Sequence, residues 1–268
     1  MPITAYPFIP YLQQDLVSSG AYAQRTYVKV FGKSTTVGTT SAYYDLWMGN
    51  TTVYRPPSTA ISMQIVSSST SDTSGGSGVQ QVTINYLDSS YNPQTIVVTM
   101  NGTTAVSLGV SVLRVNKMYA STVGSTGYPV GNITLQNNAG AIQYAYIEAG
   151  RNSAQQVYFT VPANKTFYLS QWSVSAGPST NTTAKSSISQ VVVRATAWNS
   201  YTLTGANLGA NPTQGFLTAD ECGIVAGTQN YVLTDPIKIP AQTDVKMSVL
   251  DSSGVASIVV GTFLGWYE

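Results

Sequence analysis

The sequence predicts an all-β protein: an antiparallel β-sandwich, jelly-roll-like, with an extended N-terminal arm. Three observations carry this expectation. Short runs of β-branched and aromatic residues recur between Gly, Asn and Pro turns along most of the chain. No stretch after Tyr27 shows the i, i+3, i+4, i+7 stripe of an amphipathic helix. Hydrophobic residues make up 43% of the chain and charged ones only 9%. About a quarter is usual in soluble domains. Disorder needs low hydrophobicity with high net charge, and here the net charge is +1. At 268 residues, the chain is long enough to bury about 70% of its unfolded surface without disulfide or metal. One large β-domain or two smaller ones both fit that length.

Residues 1–25 read as the arm. Pro2, Pro7 and Pro10 alternate with Ile3, Tyr6, Phe8, Ile9 and Tyr11, which favours an extended, non-helical segment. Such a segment cannot bury its own aromatics, so Tyr6, Phe8, Ile9 and Tyr11 are candidate assembly residues, docking on the chain's own core or on a neighbour. Short β-rich pieces follow at Tyr27–Phe31, Tyr43–Met48 and Thr51–Tyr54, closed by Pro56-Pro57. Around Val66 a strand enters the Ser/Gly-rich loop that holds Asp72 and Gly75–Gly78. A second strand then places Val82, Ile84 and Tyr86 on one face. Asn101-Gly102 between apolar runs predicts a tight hairpin with positive φ at both residues. Leu113–Met118 alternates again.

Residues 121–131 carry three Gly and one Pro, the best candidate boundary. It divides an N-terminal β-region, 26–122, from a C-terminal β-sandwich, 123–268, unless the two are one continuous domain. Further strands are expected at Ile142–Ile147, Gln156–Val161 and Phe167–Val174. Pro162-Ala163-Asn164-Lys165 forms a turn in which Asn164 tolerates the left-handed region. Ile188–Trp198 is near-continuously apolar, as a strand buried on both faces would be. Phe216–Val225, Tyr231–Ile239, Val245–Leu250 and Ile258–Trp266 complete the set.

Catalytic equipment is thin. The chain has no histidine, which removes Ser-His-Asp and Cys-His arrangements and the usual zinc ligands. Cys222 is the only cysteine; it reads as a small buried apolar residue. Paired carboxylates remain as glycosidase candidates: Asp15, Asp45, Asp72, Asp88, Glu148, Asp220, Glu221, Asp235, Asp244 and Asp251. Asp220 and Glu221 are adjacent, and strand neighbours point to opposite faces. Ser74–Gly78 lacks the Gly-Lys-Ser/Thr of a phosphate-binding loop, and a strand follows it where a helix should. The expectation is therefore no enzyme, no cofactor and no metal.

The 12 basic and 11 acidic residues are scattered, unlike the clustered cations of a nucleic-acid binder. No apolar run reaches the roughly 18 residues of a membrane helix, and the Pro-broken start without basic residues does not read as a secretory signal. A surface so short of charge has little colloidal protection, which suits a protein covered by partner subunits. Tyr outnumbers Phe by 18 to 6; a ring with a polar tip suits interfaces and sugar-binding surfaces.

The motifs Val66–Ser69, Asp72, Gly75–Gly78, Leu87-Asp88, Asn101–Thr104 and Leu113–Lys117 recur in that order in one family. Gly131–Thr134, Tyr158–Thr166 and Asp235–Pro240 extend the match. Over these segments the sequence resembles virion structural proteins of tailed phages of aquatic bacteria and of large algal viruses. It departs at Asn164, where the family pattern has Gly. The resemblance implies a non-enzymatic part of a virus particle, made in the host cytoplasm and located in the virion. A minor capsid, decoration or vertex component suits the size, working as a symmetric homo-oligomer (a trimer by analogy) with other virion proteins as partners. No specific nucleic acid and no membrane are implied. The alternative is a receptor- or carbohydrate-binding tail or fibre module that recognises a host glycan.

Overall fold

Sixteen strands and no helix make up the described residues of the computed structural model, which are Tyr22 and residues 24–37, 43–51, 53–178, 186–195, 217–225, 227–251 and 257–268. Tyr6, Phe8, Ile9 and Tyr11 lie outside them, so the arm keeps the standing of an expectation. All strand pairs are antiparallel.

Two sheets face one core. The first runs β1 (Thr26–Val37), β16 (Ser257–Tyr267), β11 (Phe167–Pro178), β14 (Gly227–Ile239). The second runs β10 (Tyr158–Thr160), β15 (Thr243–Asp251), β12 (Ser186–Ala195), β13 (Leu217–Val225), and β2 (Tyr44–Asp45) also pairs with β15. Alternate residues supply the core: Val28 and Val30, Phe167 and Leu169, Val259 and Phe263 from one sheet, and Val245, Met247 and Val249 from the other. β12 lies between β15 and β13; the two-faced burial expected of Ile188–Trp198 lies outside what is described. Cys222 is buried in this core, as expected.

β2 and β10 are two halves of one strand. Tyr44 and Asp45 pair with Val249 and Ser248, and Tyr158–Thr160 continue along β15 against Lys246, Val245 and Asp244. At the join, Leu46 N donates to Met247 O (3.1 Å) and Val157 N to Leu46 O (2.7 Å). Counted as one strand, they complete two four-stranded sheets in the order of an eight-stranded jelly roll. Residues 47–156 are thus inserted into the middle of a strand.

The insertion builds a sandwich of its own. One sheet runs β6 (Val106–Val112), β3 (Ile61–Ser67), β8 (Ile133–Asn137), β9 (Gln143–Ile147). The other runs β5 (Pro93–Thr99), β4 (Val79–Leu87), β7 (Arg114–Val123). Its core takes Met63 and Ile65, Val82 and Ile84, Val115 and Met118, and Ile133 and Leu135. Hydrogen bonding runs straight across the division expected after residue 122, because β3 pairs with β8 and β8 with β9. The Gly- and Pro-bearing segment 121–131 is the end of β7 and a loop at the far end of this sandwich, so its turn residues serve a chain reversal.

Asn101-Gly102 is not a hairpin turn. β5 and β6, which flank it, lie in different sheets, and φ is positive at Gly102 (59°) but not at Asn101. The link crosses between sheets: Asn101 bridges Thr73, Gly102 N donates to Asp72 O, and Gly102 O accepts from Ser67 N. Asn164 has φ 58° in the Pro162–Lys165 turn, as the sequence predicts.

Candidate functional site

The carboxylates come first, because they were the remaining route to catalysis. Asp45 receives Lys246 Nζ (2.8 Å), Ser248 Oγ (2.7 Å) and Tyr54 N (2.8 Å). Asp244 receives Arg114 Nε (2.9 Å) and Thr160 Oγ1 (2.7 Å). Asp220 Oδ2 accepts from Trp172 Nε1 (2.7 Å), while Glu221 is exposed, so these neighbours do face opposite ways. Asp88 holds a turn through Ser90 N and Asn92 N; although partial burial acts to raise its pKa, these hydrogen bonds outweigh it and hold the carboxyl below its usual value. Glu148 pairs with Lys33 at 2.9 Å. Asp235 is exposed on β14. Asp15 and the side chain of Asp251 lie outside what is described. The two buried acids nearest the sheet junction, Asp45 and Asp244, are each neutralised by a cation and out of reach of a substrate.

These pairs form a polar seam between the two sandwiches. On β15, Val245, Met247 and Val249 enter the jelly-roll core, so strand alternation sends Asp244, Lys246 and Ser248 to the other face. That face is covered too: Asp244 is 0% exposed and Lys246 1%. Arg114, at the start of β7, reaches Asp244 with Nε and Nη2, and its Nη1 donates to Pro57 O (2.7 Å) and Leu113 O (2.9 Å). Burial alone would lower the guanidinium pKa, but the adjoining Tyr158 phenol and Asp244 carboxylate outweigh it and raise it. Asn116 and Thr160 exchange two hydrogen bonds of 2.9 Å across the same junction. Trp47, Tyr54 and Tyr158 pack beside it, with ring centroids 5.1 Å and 4.4 Å apart. Sequence reading found Leu113–Lys117 as a motif but not the partner of Arg114, which lies 130 residues away.

At the opposite end of the inserted sandwich, Asp72 is a second hub. Its Oδ2 accepts from Ser67 Oγ (2.5 Å) and Gly131 N (2.8 Å), and its Oδ1 from Val79 N (2.8 Å) and Val130 N (2.9 Å). One fully buried side chain thereby ties three stretches of chain together. Gly78 has to be glycine, since a Cβ there would lie 2.0 Å from Asp72 Oδ1. The Ser/Gly-rich loop of the sequence is therefore a locked tip. It supports the segment that exposes Val123, Tyr128 and Val130.

The third feature is a cleft of about 280 Å³ between the two sandwiches. The first residues of β1, Thr26–Val30, line one side, and the β4–β5 hairpin, through residues such as Tyr86 and Gln94, lines the other. Phe159, Pro162 and Tyr267 add apolar surface, and Lys29 and Lys117 are its charged residues. Nothing in the local sequence marks this site, because strands far apart in the chain build it.

No family model matches this sequence, nor does any curated protein. Among solved structures, an alignment to the structure of infectious bursal disease virus Gx strain covers 91% of this chain and 77% of that one, at 11% identity and a TM-score of 0.18. Likeness at that level carries no argument, so the chain's own architecture has to supply the functional reading.

Proposed function

We propose that the protein is a non-enzymatic structural component of a virus particle, a minor capsid, decoration or vertex protein working as a symmetric homo-oligomer. The observation that carries this reading is the jelly roll interrupted within one strand to project a second, rigidly seated sandwich. Jelly rolls recur in viral capsid and lectin domains. Fold alone does not fix function; the family resemblance of the sequence favours the particle. The buried carboxylates Asp45, Asp72 and Asp244 are all spent on internal hydrogen bonds and ion pairs, in keeping with a static role. In this role the jelly roll is the block, the inserted sandwich the projection, and the arm a strap to other subunits. The protein would be made in the host cytoplasm and reside in the virion.

A second reading, a receptor- or carbohydrate-binding module, is favoured by the tip, where Tyr128 is 48% exposed on loops fixed through Asp72. Counting copies per purified particle by quantitative mass spectrometry separates the two. Roughly hundreds of copies, as a symmetric shell or decoration requires, support the first, and roughly tens or fewer support a fibre or tail tip. Absence from particles overturns both.

A further inference from the structure

β1 is the last strand of its sheet: it pairs with β16 on one side, and no described strand pairs with the other. An open edge offers unpaired backbone donors and acceptors to another strand. Here the start of that edge forms a wall of the cleft. At about 280 Å³, the cleft is too small for a folded partner and suits a few side chains of an extended segment. Its charged residues are both cations, Lys29 and Lys117, and neither forms an ion pair among the described residues. The occupant should therefore be extended, apolar and aromatic, with a carboxylate. Residues 2–21 have that composition: Tyr6, Phe8 and Ile9 between prolines, Tyr11 directly after Pro10, and Asp15 as the only charged side chain.

We propose that the cleft takes the N-terminal arm of a second copy of this chain, laid along the open edge of β1, with Asp15 beside Lys29 and Lys117. This rests on the oligomer of the proposed function and names the contact that would build it. Register argues against the chain's own arm. Arg25 N donates to Tyr22 O (2.9 Å), a turn immediately before β1. A chain folded straight back through that turn brings Ser19 and Val17 opposite Val28 and Val30. Asp15 then falls opposite Gly32, and the aromatic residues lie farther along, beyond the cleft. A second copy's arm is free of that register: with Asp15 at Lys29, Tyr11 lies about 13 Å along the strand, within reach of the cleft's end at Thr26. Pro7 and Pro10 lack an N–H, which an added outermost strand tolerates.

The test is zero-length carbodiimide coupling on the purified full-length protein, followed by peptide mass spectrometry of separated monomer and dimer bands. The expected result is an Asp15–Lys29 or Asp15–Lys117 linkage in the dimer band. The same linkage in the monomer band alone overturns the proposal in favour of the chain's own arm, and no linkage to either lysine overturns it outright. Light scattering adds a second readout. Lys29→Glu with Lys117→Glu should lower the oligomer mass with the circular dichroism spectrum unchanged, and adding Asp15→Lys should restore it. An unchanged mass in the double variant counts against the proposal. Because copy number per particle is measured separately on virions, either result can fail without the other.

Discussion

Arg114 and Asp244 meet at 2.9 Å in a fully covered ion pair that joins the first residue of β7 to the second residue of β15. One belongs to the inserted sandwich and the other to the jelly roll, so the pair fixes how the projection sits on the block. Removing one partner strands a buried charge, which costs about 3–5 kcal/mol. Asp244→Asn is expected to lower the unfolding free energy measured in urea by that amount and to split a single unfolding transition in two as the sandwiches uncouple. Arg114→Met with Asp244→Leu should recover most of the loss. A single variant within about 1 kcal/mol of the natural protein would show that the pair does not hold the junction.

The Asp72 lock makes a second expectation. Asp72→Ala leaves the N–H groups of Val79, Val130 and Gly131 without their acceptor. At about 1–3 kcal/mol for each of the buried donors Val79 N and Gly131 N, with the part-buried Val130 N adding less, the loss should reach at least about 2 kcal/mol. Gly78→Ala forces a methyl group into the carboxylate and should also destabilise, by about 1–3 kcal/mol. Both should move the chemical-denaturation midpoint and leave its slope unchanged.

What was legible in the sequence was local. Alternating Val82, Ile84 and Tyr86, the left-handed Asn164 and the buried Cys222 all follow from short-range pattern and turn chemistry. The Val66–Gly78 motif was visible too, but only as a strand entering a Ser/Gly-rich loop; the folded chain alone brings Val130 and Gly131 to Asp72 and shows a lock. Asn101-Gly102 misleads because its flanking runs look like hairpin partners, yet each pairs with a strand elsewhere. The division of strands between the two sandwiches was hidden for the same reason. Leu46 and Val157 continue one strand, and nothing near either residue announces the other.

That join yields a third expectation. The Leu46–Val157 hydrogen bond brings the two ends of the insertion together, about 5 Å apart as neighbouring strands are. The insertion has its own core, from Met63 to Ala154. Residues 57–154 produced alone should fold, with an all-β circular dichroism spectrum and one cooperative unfolding transition. A spectrum of an unfolded chain would mean that the seam, not the core, supports this sandwich.

Tyr54 makes the last expectation, on pH. Its ring packs between Trp47 and Tyr158, and its hydroxyl is buried with no hydrogen-bond partner. Burial, only partly offset by Arg114, pushes the phenol pKa far above its ordinary value. The folded-state pKa is thus above the unfolded one, near 10. The associated stability is fully present below about pH 10 and is lost as pH rises towards the folded value, because the unfolded chain ionises first. This single group should remove about 1.4 kcal/mol for each pH unit above about 10. Tyr54→Phe deletes an unsatisfied hydroxyl while keeping the ring, so at pH 8 it should be neutral or stabilising by about 1 kcal/mol. Between about pH 10 and 12 its unfolding temperature should fall less steeply than that of the natural protein. The other tyrosines whose pKa is raised, among them Tyr86, Tyr144 and Tyr146, titrate in both proteins and cancel in the comparison. Parallel alkaline limbs in scanning calorimetry would mean that the Tyr54 hydroxyl reaches water in the folded protein.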